Sequence, residues 1–152
     1  MERAEQSAAI NLEKSMLFIP NRLHVRPDEL YVSFNIAVIP EDMDVVRLSL
    51  RLQLPERSGA LSLSVHAIAE AWDEQSIRNW LPRLNQQPIR ISIDPPDLAD
   101  SVDPAVQVTH FAEQWRFRSD HNHGLCVRLH GAVSEDGGFS EERPPYLLAD
   151  TL

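Results

Sequence analysis

The sequence predicts an all-β fold: an antiparallel two-sheet β-sandwich of jelly-roll type, with about nine or ten short strands. Three observations predict it. Apolar and polar residues alternate over most of the chain. Clusters of Pro, Gly, Asp, Asn and Ser break that alternation at short intervals. Helical periodicity is scarce.

Taken in order, "MLFI" near the start makes an edge strand. "YVSFNIAV" puts Val32, Phe34, Ile36 and Val38 on one face. "VRLSLRLQL" puts Val46, Leu48, Leu50, Leu52 and Leu54 inward and Arg47, Ser49, Arg51 and Gln53 outward. "LSLSVHA" repeats the pattern, with Leu61, Leu63, Val65 and Ala67 in and Ser62, Ser64 and His66 out. "IRISI" turns Ile89, Ile91 and Ile93 inward, "GLCVRLHGAV" turns Leu125, Val127 and Leu129 inward, and "YLLADTL" closes the chain as an edge. The separating turns are "IPNRLHVRPDE", "IPEDMD", "PERSG", "DPPD", "SEDGG" and "RPP". Helix is confined to connections. "THFAEQW" predicts one or two turns, with Thr109 as N-cap and Phe111 stacked under Trp115, and "DEQSIRNW" opens with a helical turn. Residues 1–14 read as a polar N-terminal arm and residues 15–152 as a single domain.

At 152 residues the chain is long enough to bury a core without metal or disulfide. Its one cysteine, Cys126, excludes an intrachain disulfide, and its outward parity predicts a small residue covered by a loop or partner. The net charge of -9 argues against nucleic acid, which calls for a basic surface. No apolar run long enough for a membrane span or a signal-peptide core is present. The expectation is synthesis in the cytosol without a signal peptide, with the product ending in an extracellular or particle assembly.

A set of spaced aromatics carries a family resemblance. "HAIAEAWDEQSIRNWLP", "VQVTHFAEQW", "HNHGLCVRL" and "FSEERPPYLL" follow one another in an order that resembles the DNRLRE domain family. The matching positions are Trp72, Glu74, Trp80, Thr109, Trp115, Asn122, Gly124 and Pro145. The pattern departs at Gln107, where the family has Asp, and at His123, where it has Tyr. The resemblance implies a jelly-roll module of the kind found in secreted or surface proteins of bacteria and archaea. Some members are grouped with carbohydrate-binding modules, including binders of uronic-acid polysaccharides, and no catalytic residue comes with the motif. It also implies that the three tryptophans staple loops to the core.

Several constellations bear on chemistry. His121 and His123, two apart in "SDHNHG", have the spacing of a metal pair on a strand. Their parity with Leu125 and Val127 turns them toward the core, and no third ligand stands at a recognisable spacing. Arg47, Arg51, His66, Arg90, Arg128 and His130 all have outward parity. If their strands are neighbours they form a basic stripe on an acidic protein, a contact for carboxylates of a glycan or a partner subunit. The carboxylate pairs Asp73–Glu74, Glu135–Asp136 and Glu141–Glu142 sit in turns without a partnering His. No loop has the dense Asp/Asn ladder that would support structural calcium, so no cofactor is implied.

The expectation is therefore a non-catalytic protein. In the first form it is a structural subunit that assembles with itself or with partners into a surface, fibre, coat or particle. In the second it is a carbohydrate-binding module for an acidic polysaccharide.

Overall fold

The computed structural model describes residues 14–53, 61–85, 87–93, 105–130 and 138–152, and the expectations for residues 1–13, Leu54, Glu135 and Asp136 lie outside them. Nine strands are present among the described residues: β1 Lys14–Phe18, β2 Arg22–Arg26, β3 Glu29–Ser33, β4 Val45–Arg51, β5 Leu61–Ala67, β6 Ile89–Ile93, β7 Ala105–Gln107, β8 Leu125–His130 and β9 Tyr146–Thr151. They form a four-stranded sheet in the order β1-β9-β4-β7 and a five-stranded sheet in the order β2-β3-β8-β5-β6. Every pairing is antiparallel. With β2 set aside as an added edge strand, the chain passes between the two layers in the order of a jelly roll.

The alternation does what the sequence predicts in the centre of each sheet. Leu48, Leu50, Leu63, Val65, Val127, Leu129, Leu147 and Ala149 meet between the layers and are almost wholly buried. Each large apolar side chain removed from water contributes roughly 1.5–3 kcal/mol. The helical connections also form as expected. A single 3-10 turn spans Ser76–Arg78, and a 3-10 turn at Thr109–Phe111 runs into the short helix α1, Ala112–Phe117. Phe111 and Trp115 stack with centroids 5.2 Å apart.

Five local expectations are corrected. The closing strand β9, expected as an edge, lies between β1 and β4. Val46 is 44% exposed rather than buried, because the register of β4 against β9 shifts between Val45 and Arg47. A bulge of this kind inserts a residue and reverses parity on one side of it. The strand expected over "YVSFNIAV" stops at Ser33. There Asn35 folds its own backbone, its Oδ1 accepting from the Ala37 N–H, and Val38 is left 64% exposed. Conversely, "IPNRLHVRPDE" is not all turn: Arg22–Arg26 is strand β2, joined to β3 through Pro27 and Asp28. Finally, Thr109 caps no helix. Its hydroxyl accepts from the Leu48 N–H at 3.0 Å and points back toward the Leu48 carbonyl, clipping the turn to β4.

Candidate functional site

The outer face of the five-stranded sheet carries the densest chemistry, and its arrangement follows from register. Arg26 of β2 lies opposite Glu29 of β3, Glu29 opposite Arg128 of β8, Arg128 opposite Ser64 of β5, and Ser64 opposite Arg90 of β6. One row of outward side chains thus crosses all five strands. The next row runs His24, Tyr31, Cys126, His66.

The segment from Ile68 to Asn85 leaves β5 and covers part of the second row. It is anchored by Ala69 N–H to the Arg83 carbonyl and Asn85 N–H to the Ala67 carbonyl, both at 2.8 Å. Trp72 and Ile77 pack on Tyr31 and Cys126 as a second apolar cluster outside the main core. Trp72 meets Tyr31 edge-on at 6.2 Å, and its indole N–H donates to the His123 carbonyl at 2.6 Å. At the far end Glu74 Oε2 accepts from the Leu23 N–H of edge strand β2. The turn itself is set by Asp73, whose Oδ1 accepts from the N–H groups of Gln75 and Ser76. These bonds hold its carboxyl below the usual range.

The first row remains uncovered by this segment and centres on Ser64. The Ser64 hydroxyl lies 2.8 Å from His130 Nε2 and 3.2 Å from His66 Nε2. Arg128 Nε donates to Glu29 Oε2 at 2.8 Å. Burial lowers the pKa of His66, a bond to the Asn85 backbone opposes this, and the charges of Arg128 and Arg90 together with His130 lower it further. The site is therefore electropositive with a neutral imidazole at its edge. Its chemistry suits holding an anion by charge-assisted bonds. It does not suit nucleophilic attack. Ser64 is 2% exposed, and burial pushes the Cys126 thiol up to about 12, far from the thiolate form that reacts.

Of the six residues expected on a basic stripe, four meet here: His66, Arg90, Arg128 and His130. Arg47 and Arg51 do not join them, because β4 belongs to the other sheet. Arg47 instead donates to Asp150 Oδ2 at 2.6 Å, and Asp150 also accepts from Ser15. The Ser15 bond comes first, and Arg47 second, in holding the Asp150 carboxyl below its usual range. Ser64, Glu29 and Arg26 are the site residues that sequence reasoning missed. Parity marked Ser64 as outward, but only register makes it the centre.

The motif residues also find their places. Trp115 is buried in the main core and Trp72 in the second cluster, whereas Trp80 is 48% exposed. Asn122 donates to the Phe34 carbonyl and accepts from the Gly124 N–H. Gly124 has φ +86, and a Cβ there would run into the Val32 carbonyl oxygen, so the position requires glycine. Pro145 is buried just before β9, and the Pro144 carbonyl accepts from the Gln53 amide.

The inward parity expected of His121 and His123 fails for the same reason. The chain is a 3-10 turn at Ser119–His121, Gly124 reverses it, and β8 begins only at Leu125. His121 is exposed and His123 half-buried. Both line a cleft of about 220 Å³ with Asn85, Phe111, Gln114 and Trp115. Among the described residues no group of three or more His, Cys, Asp or Glu is placed to hold a metal ion. No described helix is long and apolar enough to cross a membrane. No family model and no curated protein matches this chain.

Proposed function

We propose that this chain is a non-catalytic structural subunit that assembles with copies of itself or with partners into a surface, fibre, coat or particle. One observation carries the reading. Edge strand β1 pairs with β9 on one side and with no described strand on the other, and it displays Leu17 at 61% exposure, followed by Ile19 at 75%. Half-buried Leu148, opposite Leu17, and Tyr146 extend that apolar strip onto the neighbouring strand β9. An open edge bearing large apolar side chains is a surface that a second strand completes. Size-exclusion chromatography and negative-stain microscopy test it. Oligomers or filaments that disperse in a Leu17→Glu variant are the expected result, and a monodisperse monomer at every concentration overturns it.

Exposed Trp80 favours a second reading as a carbohydrate-binding module. Trp80 and Leu81 are half exposed with Arg78 and Arg83 close in sequence, a combination suited to an acidic sugar polymer. A glycan array that includes uronic-acid polymers decides it: binding lost in Trp80→Ala supports the reading, and a blank array ends it.

A further inference from the structure

An isologous contact through β1 would close a dimer and stop there, whereas an extended assembly needs a second contact on each copy, and a heterologous one propagates it. We infer that this second surface is the Ser64-centred cationic row, and that its occupant is the Pro40–Met43 turn of another copy. The inference rests on the structural-subunit reading and names its partner.

The row offers a defined pair of cations. Arg90 is exposed and makes no ion pair with a described residue, while Arg128 is tied to Glu29 through Nε. They stand two strands apart, about 10 Å, with Ser64 between them. Such a row is out of character for a chain of net charge -9, so a copy of the chain is itself a complementary partner.

The turn offers the matching anions in a rigid frame. Its Met43 N–H bonds to the Pro40 carbonyl at 3.1 Å, which places exposed Glu41 and Asp42 at the two corners. Arg116 of α1 reaches behind it, and its Nη2 donates to both the Pro40 and Met43 carbonyls at 2.7 Å. Asp44, also exposed, is fixed by a reciprocal backbone pair with Leu152. The carboxylates are thus presented on backbone already ordered, and docking costs little further entropy. The turn leads into β4 of the four-stranded sheet, and the row faces outward from the other sheet. Contact between them joins copies head to tail.

Sedimentation velocity in low and high salt, with charge reversals, tests this. Wild type is expected to associate in low salt and to weaken steeply as salt rises. Arg90→Glu alone, and Glu41→Arg with Asp42→Arg, are each expected to weaken association about tenfold or more. All three reversals in one chain are expected to restore it, which loss of folding in either parent would not allow. Single reversals that associate like wild type overturn the inference while leaving the structural reading intact. A wild type that stays monomeric overturns the structural reading itself. Binding of polygalacturonate that Arg90→Glu abolishes, with self-association unchanged, assigns the row to a sugar polymer and also overturns the inference.

Discussion

The outer faces of the two sheets come from strands with the same alternation, yet they end in opposite conditions. On the four-stranded sheet the described outward residues run from exposed Leu17 and Ile19 at the edge, through half-buried Leu148 and Tyr146, to buried Ser49 and Asp150, the last paired with Arg47. On the five-stranded sheet a long excursion of the chain returns to cover Tyr31 and Cys126, while Arg26 and Arg90 at the two ends of the charged row beside them are exposed. Outward parity says that a side chain leaves the central core. It does not say whether the side chain meets water, a loop or another molecule. The covered half forms a second apolar cluster outside the main core.

Perturbing the cover should produce the largest effect. Trp72 is 4% exposed and holds both the apolar cluster and the His123 carbonyl, so Trp72→Ala should cost about 3–5 kcal/mol in a denaturant titration. It should also open Cys126 to a thiol reagent. A variant with normal stability and an unreactive thiol would mean that the excursion is decoration, and the contrast between the faces would collapse.

Next is the hinge of the same region. Gly124→Ala forces a Cβ onto the Val32 carbonyl at a positive φ, and should destabilise by roughly 2 kcal/mol or more by thermal melting. On the four-stranded sheet the corresponding anchor is weaker. Asp150→Ala releases Ser15 and Arg47, and because Arg47 is 53% exposed the loss should be near 1 kcal/mol. An equal or larger loss than at Gly124 would invert the ranking of the two regions.

Acid should distinguish the faces as well. Burial comes first in lowering the pKa of His24, His66 and His123, all on or beside the five-stranded sheet. The flanking cations add to it: Arg26 at His24, Arg128 and Arg90 at His66, and Arg22 at His123. The unfolded rings take up protons near 6.5 and the folded rings resist. The unfolded state then binds more protons, so stability should fall as pH drops below about 7, until the folded rings titrate. Melting curves between pH 7.5 and 5 should show this slope, and His66→Gln should flatten it; a slope unchanged by that variant would remove His66 from the explanation. The smallest effect belongs to the bare edge. Leu17→Ser removes almost no folded contact and should shift stability by less than about 0.5 kcal/mol while weakening assembly.

Much of this was legible residue by residue. The period-two pattern placed Leu48, Leu50, Leu63, Val65, Val127 and Leu129 in the core, and i, i+4 helical spacing placed Phe111 under Trp115, because these depend on neighbours in the chain. It failed at Val46, at Val38 and at His121 and His123, where a bulge, an Asn35 turn and a left-handed glycine broke the parity. Strand β2 was hidden because Asn21, Pro27 and Asp28 are turn formers, although Leu23 and Val25 alternate correctly between them.

By itself, then, the sequence determined the fold class, the inward residues at the centres of β4, β5 and β8 and the outward charge of Arg90, Arg128, His66 and His130. Those are local consequences of side-chain spacing. Only the tertiary structure decided that these four share a sheet while Arg47 and Arg51 lie on the other, that Ser64 sits among them, and that Trp72 covers Cys126 while Trp80 does not bury. The physical reason is that strand adjacency is a nonlocal choice. It is settled by the jelly-roll winding and by register, which join residues such as Ser64 and His130 that the chain itself keeps far apart.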